Sequence, residues 1–353
     1  MNFTFGEYKT RVIISREIPV FEKVAADLRV GGIKPLVIAD ENTKLIAEKI
    51  FGDNVHYCLL KSGEENKNWQ AVETVLAAAR KAGLGRDGVF IGAGGGVIGD
   101  LTGFAASVYM RGCRFVLFST TLLAMVDASV GGKTGFDLFG IKNLAGTFYP
   151  AEIVYMPLES LTTLPQREWK SGFAELIKTA VLDGDSLLDV LAENTGKEEP
   201  RVNDALLKCI KRAVLYKGKI VSEDFREKGK RKLLNLGHTF GHALEAAAGL
   251  GNISHGEAVA WGIVQSCALG VELGITPRSR AEKITALISS SGYDCSRPHP
   301  LAGGTAFFES MLSDKKKKDG KMTFIVPDKK SARVVTLENT KIVEKILKEG
   351  FTF

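Results

Sequence analysis

Three of the chain's five histidines, His238, His242 and His255, fall within eighteen residues. His238 and His242 are four apart, so a helix would set them on one face. His255 follows a glycine-containing turn over 249–254 that could fold back onto that face. Imidazole is a common zinc ligand, and a catalytic zinc takes three protein ligands and keeps a fourth position open. Glu175, in Phe173-Ala-Glu-Leu-Ile-Lys178, is a carboxylate that could complete such a set. His-x-x-x-His without an internal glutamate is not the zincin pattern. The competing reading is a pair of histidines satisfied by capping or by the core. A chain so poor in histidine favours the metal.

A second cluster is Gly92-Ala-Gly-Gly-Gly-Val-Ile-Gly-Asp100, which follows a strand pattern and opens a helical one. Gly94, Gly96 and Gly99 fit G-x-G-x-x-G, where glycine lets the backbone approach a pyrophosphate at a helix N-terminus. A tight strand–helix turn without a ligand reads equally well from this motif alone. Asp40, just after an earlier strand, is placed for a ribose hydroxyl or, as readily, for a helix cap. The third group is cationic: Lys133 in Val130-Gly-Gly-Lys-Thr-Gly135, Lys142-Asn143, Lys178, Lys217, Arg231 and Arg111. A solvated face accounts for most of them singly. Lys133 and Lys142 lie in glycine-rich segments that read as loops, where function concentrates. Position 127 is aspartate where a P-loop needs glycine, which argues against a nucleotide triphosphatase.

These residues need a scaffold. Short apolar runs at 34–39, 55–60, 88–92 and 114–118 alternate with helical patterns at 43–51, 69–82 and about 99–109. That rhythm argues for a parallel sheet covered by helices. From 168 onward the periodicity is mainly helical, over 168–182, 186–193, 203–221, 232–249, 256–273, 278–291 and 338–349. A β-hairpin is expected over 321–336, around Pro327–Lys330. The expectation is an α/β nucleotide-binding domain over 1–160 and a mainly helical metal- and substrate-binding domain over 161–353, with a cleft between them.

The 353 residues carry 47 Lys and Arg against 41 Asp and Glu, a formal charge of +6. The excess suits an anionic small substrate better than nucleic acid, because the one dense basic run is Lys315–Lys318. No apolar run reaches the ~18 residues of a membrane span, and the N-terminus lacks a secretory pattern. Five scattered cysteines without a Cys-x-x-Cys pair suit a reducing compartment, so a cytoplasmic protein is expected.

Read together, the segments 94–112, 120–135, 142–148, 163–178, 226–245, 255–262 and 313–316, in this order, resemble the 3-dehydroquinate synthase family from Asp40 to about Val326. The resemblance implies NAD and a divalent metal, zinc or cobalt, as cofactors. It implies cofactor contacts at Asp40, Asn42, Glu64, Lys67, Gly94, Gly95, Gly96, Asp100, Thr120, Thr121, Lys133, Lys142 and Thr163. It assigns the metal to Glu175, His238 and His255, and turns His242 toward substrate. It implies a substrate site of Asp127, Lys133, Asn143, Lys178, Lys217, Glu227, Arg231, Asn235, His242 and Lys316. Arg111 matches a residue that reaches the substrate phosphate across a homodimer interface. The implied reaction turns 3-deoxy-D-arabino-heptulosonate 7-phosphate into 3-dehydroquinate and phosphate, in the shikimate route to aromatic amino acids. The chain departs from the family pattern at Asp137, Ile141, Tyr149–Pro150 and Met156-Pro157, all between 136 and 160. The rival readings are another sugar-phosphate cyclase or a metal- and NAD-dependent polyol dehydrogenase.

Overall fold

The structure, a computed structural model, describes residues 1–28, 35–193, 202–249, 252–295, 299–316, 321–339 and 341–349; the side chains of 312–316 and 349 lie outside that description. By its contacts the chain divides into two compact units, Met1–Trp169 with Lys217–Arg226, and Lys170–Tyr216 with Glu227–Phe353.

In the first unit, strands β1 (Asn2–Phe5) and β2 (Tyr8–Ser15) lead into helix α1 (Phe21–Leu28). There follow β3 (Leu36–Asp40), α2 (Lys44–Phe51), β4 (His56–Leu60), α3 (Trp69–Lys81), β5 (Val89–Gly94), α4 (Gly96–Val108) and β6 (Arg114–Ser119). Then come β7 (Lys133–Leu138), β8 (Ile141–Phe148) and β9 (Ile153–Pro157). Seven strands form one sheet in the order β1-β2-β9-β6-β5-β3-β4. All neighbours are parallel except β1 with β2. The central strands are buried on both faces, which is why they read as continuous apolar runs: Val37, Ala39, Val89, Ile91, Val116 and Phe118 share one core.

Two expectations change here. The segments around Lys133 and Lys142, read as loops, are the strands of an antiparallel hairpin, β7 with β8. Glycine made them look irregular, yet Gly135 and Gly146 are where the two backbones come too close for a side chain: a Cβ on Gly146 would collide with the carbonyl oxygen of Thr134. Strands β1, β2 and β9, which form one end of the sheet, are also absent from the sequence reading. Residues 217–226 belong with this unit, where Phe225 packs on Phe5, Tyr8 and Phe148 at ring-centroid distances of 6.4, 6.1 and 5.4 Å.

The remaining elements are α5 (Gln166–Asp183), α6 (Asp185–Ala192), α7 (Asp204–Glu223), α8 (His238–Ala248), α9 (His255–Glu272), α10 (Arg278–Ser290), α11 (Thr305–Lys316), the hairpin β10 (Met322–Pro327) and β11 (Ala332–Leu337), and α12 (Lys341–Glu349). Phe240, Trp261, Phe307 and Phe324 centre the core of the second unit. The hairpin stands where expected, closed by Asp328, whose Oδ1 accepts from the amides of Lys330 (3.0 Å) and Ser331 (2.8 Å). Helix α11 was not anticipated. The helix expected over 232–249 is broken: Lys230–Asn235 forms a 3₁₀ turn, and Gly237 takes φ +80° before α8 begins at His238. Glycine adopts that left-handed backbone without the Cβ penalty, and it sets His238 at a helix start rather than mid-helix.

Arg280 at the start of α10 ties this unit together. Its guanidinium meets Asp185 Oδ1 at 3.0 Å and donates to the carbonyls of Val181 (2.8 Å), Asp328 (2.7 Å), Ser331 (2.8 Å) and Lys330 (3.2 Å).

Candidate active site

In the second unit three helices bring the metal candidates together. Glu175 and Lys178 lie three apart on α5, both buried, and their side chains form an ion pair. His238 opens α8 and His255 opens α9. Ser254 caps α9 with a reciprocal Ser254–Glu257 capping box, which fixes the first turn and therefore His255. Close helix approach does the rest. A Cβ on Gly262 of α9 would run into the carbonyl oxygen of Gly237, and one on Gly256 would run into the backbone of Ser171. Small residues at these crossings let α5, α8 and α9 pack backbone to backbone.

Glu175 Oε1 consequently lies 3.3 Å from His255 Nε2 and 3.6 Å from His238 Nε2. One ligand atom from each of the three falls within 4.8 Å of the others. His238 Nδ1 donates to the Leu236 carbonyl at 3.1 Å, which leaves the Nε2 lone pair facing Glu175. Burial, then the Lys178 charge, pushes the His238 imidazole down to about 3, so this ring is neutral and ready to ligate. Burial works the same way on His255, but Glu175 and Glu245 outweigh it and raise that ring to about 10. The two rings differ because His238 faces Lys178 and one carboxylate, whereas His255 lies between two, Glu175 and Glu245. A divalent ion brings positive charge to the same point and competes with that proton. Two imidazoles and a carboxylate are a donor set suited to zinc or cobalt, so the residues fit a metal.

His242 lies one turn beyond His238, exposed, its ring centroid 5.2 Å from that of His238 and 6.3 Å from that of His255. Nearby in sequence, Asn235 Nδ2 donates to Glu227 Oε1 at 2.6 Å, and Arg231 is buried in the 3₁₀ turn. Lys316 ends α11, and its side chain lies outside the described residues, as does most of the Lys315–Lys318 run. The expected turn over 249–254 is described except at 250–251.

In the first unit the glycine turn joins β5 to α4. A Cβ on Gly94 would stand 2.7 Å from the Ile98 Cβ, so the tight turn requires glycine. Gly94, Gly95, Gly96, Asp100, Lys133 and Thr134 line one hollow at the N-terminus of α4. Thr120 is buried beside it, its amide bonded to the Gly94 carbonyl, and its Oγ1 has no hydrogen-bond partner among the described residues. An orphaned hydroxyl, amides free at a helix start and closely approachable backbone fit a dinucleotide's pyrophosphate. Thr121 Oγ1 accepts from the Ala124 amide at 3.1 Å.

Lys67 connects this turn to the hairpin. Buried, it donates to Asp100 Oδ2 and to Asn143 Oδ1, both at 2.6 Å. The Asn143 amide in turn donates to Asp137 Oδ1 at 2.7 Å. Lys217 pairs with Asp127 Oδ1 at 2.8 Å and donates to its carbonyl at 2.7 Å. The Glu64 carboxylate acts on both Lys67 and Asp100. Asp40 Oδ1 accepts from the amides of Asn42 and Thr43 in the turn ahead of α2, whose N-cap position is held by Thr43 rather than by Asp40. Glu64 begins the 3₁₀ turn Glu64–Asn66, and Thr163 ends that of Leu158–Thr163. Lys142 is exposed near the hairpin tip. Arg111 is exposed on a turn with φ +70°, following Met110 at +52°. Sequence reasoning missed Glu245, which lies seven residues beyond His238 and hence on the same helix stripe, a spacing that could have revealed it.

Family models were matched over most of the chain: 3-dehydroquinate synthase N-terminal over residues 57–171, and 3-dehydroquinate synthase C-terminal over 172–317. A 3-dehydroquinate synthase from Pelobacter propionicus is 41% identical over 274 residues, covering 78% of this chain and 76% of its own. Among solved structures, a 2-deoxy-scyllo-inosose synthase complexed with carbaglucose-6-phosphate, NAD+ and Co2+ superposes with a TM-score of 0.85 at 23% identity, covering 99% of each chain. A 2-epi-5-epi-valiolone synthase from Streptomyces hygroscopicus subsp. jinggangensis with NAD+ and Zn2+ bound gives 0.83 at 24%, over 97% of this chain and 96% of that one. A probable glycerol dehydrogenase from Sinorhizobium meliloti gives 0.61 at 18%, over 88% and 90%. These three likenesses concern the fold.

Proposed function

The chain belongs to the 3-dehydroquinate synthase family, and from that premise we infer that it converts 3-deoxy-D-arabino-heptulosonate 7-phosphate into 3-dehydroquinate and phosphate. The observation that carries the chemistry is the convergence of Glu175, His238 and His255 within one ion's reach. When bound, NAD takes up and returns a hydride while the divalent ion polarises the oxygen of the alcohol being oxidised and of the ketone it becomes.

The chain's own residues bind, orient and manage charge. The Gly94–Gly96 turn, Asp100, Thr120 and Thr121 hold the dinucleotide phosphates at the start of α4, with Asp40, Asn42, Glu64, Lys67, Lys133, Lys142 and Thr163 completing that site. Lys178, Lys217, Arg231, Asn143 and Lys316 supply cationic and amide donors for the substrate's carboxylate and phosphate. Asp127, Glu227, Asn235 and His242 position its hydroxyls. Lys217, already bonded to Asp127, is held ready for an anion rather than searching for one. Oxidation of the secondary alcohol acidifies the neighbouring C–H, and phosphate leaves from the next carbon. The departing phosphate itself takes that proton, so no separate strong base is needed. Re-reduction and an internal aldol addition close the ring, and the dinucleotide ends each turnover as it began.

The reading extends to a homodimer in which Arg111 reaches the partner's substrate phosphate; its exposure on a turn held at positive φ supports this. It also extends to the cytoplasm and the shikimate route, and the free cysteines agree with a reducing compartment. No described helix is long and apolar enough to cross a membrane.

The test is phosphate release from the heptulosonate phosphate by purified protein with NAD and zinc, coupled to a dehydratase that reports dehydroquinate. Both products are expected together, and both are expected to vanish with a chelator or with His255→Ala. Accumulation of reduced cofactor without phosphate would instead identify a dehydrogenase on the same scaffold.

A further inference from the structure

His238, His242 and Glu245 fall at i, i+4 and i+7 along α8, so they form one stripe. His255 on α9 lies against that stripe with its two ring nitrogens facing different carboxylates. Nε2 is 3.3 Å from Glu175 Oε1, and Nδ1 is 3.7 Å from Glu245 Oε2. Glu245 is 12% exposed and sits in the last turn of α8, where the helix dipole disfavours a negative charge. A carboxylate kept there, largely out of water and against the dipole, has been placed for the group it faces.

We propose that Glu245 is a positioning residue for the metal: it accepts the Nδ1 proton of His255, and so directs the Nε2 lone pair of that ring toward the ion shared with Glu175 and His238. The inference rests on the metal reading above. A neutral imidazole carries one proton and one lone pair, so fixing the proton on Nδ1 fixes the lone pair on Nε2. The backbone carbonyl of Leu236 does the same for His238 at 3.1 Å. Each histidine ligand therefore has its own outer acceptor, one a carbonyl and one a carboxylate. At 3.7 Å the Glu245 contact is an ion pair rather than a formed hydrogen bond, and a side-chain adjustment of less than an ångström closes it. His242, Glu245 and His255 also bring ligand atoms within 4.8 Å of one another. A second ion there would need the same ring to give up a lone pair at each nitrogen, which neutral imidazole cannot do.

The experiment uses the full chain stripped of metal and titrated with Zn²⁺ or Co²⁺ against a chromophoric chelator. Glu245→Gln is expected to weaken binding roughly 10–100-fold, the usual effect of losing an outer-shell partner. Glu245→Asp is expected to restore part of that, and the metal-free Glu245→Gln chain still to unfold cooperatively, with a lower midpoint because its pair with His255 is lost. The visible absorption of the Co²⁺ form should shift in Glu245→Gln, because the field at His255 changes. Glu245→Gln affinity within about twofold of wild type overturns the inference. So does a wild type that takes up two ions of which Glu245→Gln loses one, since Glu245 would then be a ligand itself. A wild type that binds no ion overturns the metal reading and this inference with it.

Discussion

Loading the metal site should release protons, and the structure sets the number. His255 is raised to about 10 and His238 lowered to about 3. At pH 8 the first ring is therefore almost wholly protonated in the metal-free chain and the second almost wholly neutral. An ion that takes both Nε2 lone pairs expels one proton from His255 and none from His238. Affinity should then rise about tenfold, or ~1.4 kcal/mol, for each pH unit between 7 and 9, and level off above 10. The sign for the metal-free fold is the opposite. A histidine raised in the folded chain stabilises it fully below its ordinary value of 6.5, and that contribution is lost as pH rises through about 10. The assay is calorimetric titration of metal into stripped protein, in buffers of different ionisation enthalpy at fixed pH. The dependence of the heat on buffer gives the protons released, expected to be at least about one at pH 8. A heat that ignores the buffer, with affinity flat from pH 7 to 9, would refute the reasoning, because His255 would then be unprotonated before the ion arrives.

Three further perturbations test how the scaffold holds the site. Arg280→Ala removes one ion pair and four carbonyl contacts; because Asp185 stays 44% exposed, the loss should sit near the low end for a broken buried pair, about 3 kcal/mol of unfolding free energy by urea titration, with Arg280→Lys recovering part. Gly262→Ala presses a methyl against the Gly237 carbonyl, next to His238, and should cost about 1–3 kcal/mol and weaken metal binding in the same chelator titration. For Asp328, burial pushes the carboxyl up, but the Lys330 and Ser331 amides and nearby arginines outweigh it and hold it below 3.8. A lowered carboxyl stabilises the fold above 3.8 and ceases to as pH falls through its folded value, so Asp328→Asn should melt earlier at neutral pH, by about 1 kcal/mol, with the gap closing in acid.

Much of this architecture was legible because burial on both faces writes long apolar runs, as in β5 and β6, and because helices packed on one side write a three-to-four repeat, as in α3 and α10. The hairpin β7–β8 was not legible, since glycines chosen for close backbone approach erase the alternation that marks a strand. The start of α8 was hidden for a related reason: Leu233, Leu234 and Leu236 continue the helical spacing, and the break depends on the backbone of Gly237. At the site, residue types and spacing identified the histidines and Glu175, but left open which of them ligate. In the reading proposed above the choice turns on second partners, the Leu236 carbonyl and Glu245, and an outer acceptor leaves little trace in a linear pattern. The link from Lys67 to both Asp100 and Asn143 spans 33 and 76 residues, beyond any local motif.

The place of Phe225 bears on how the chain is made. The first unit is complete only when a segment encoded about sixty residues after its own last strand arrives to cover Phe5, Tyr8 and Phe148. A ribosome therefore delivers a seven-stranded sheet with an aromatic patch bare at its edge, and the patch stays bare while α5, α6 and α7 are synthesised. A stop codon placed between β9 and residue 217 leaves the α/β body unfinished. The nucleotide-binding half cannot be expressed, transplanted or inherited as one continuous stretch of gene without carrying residues 217–226 along with it.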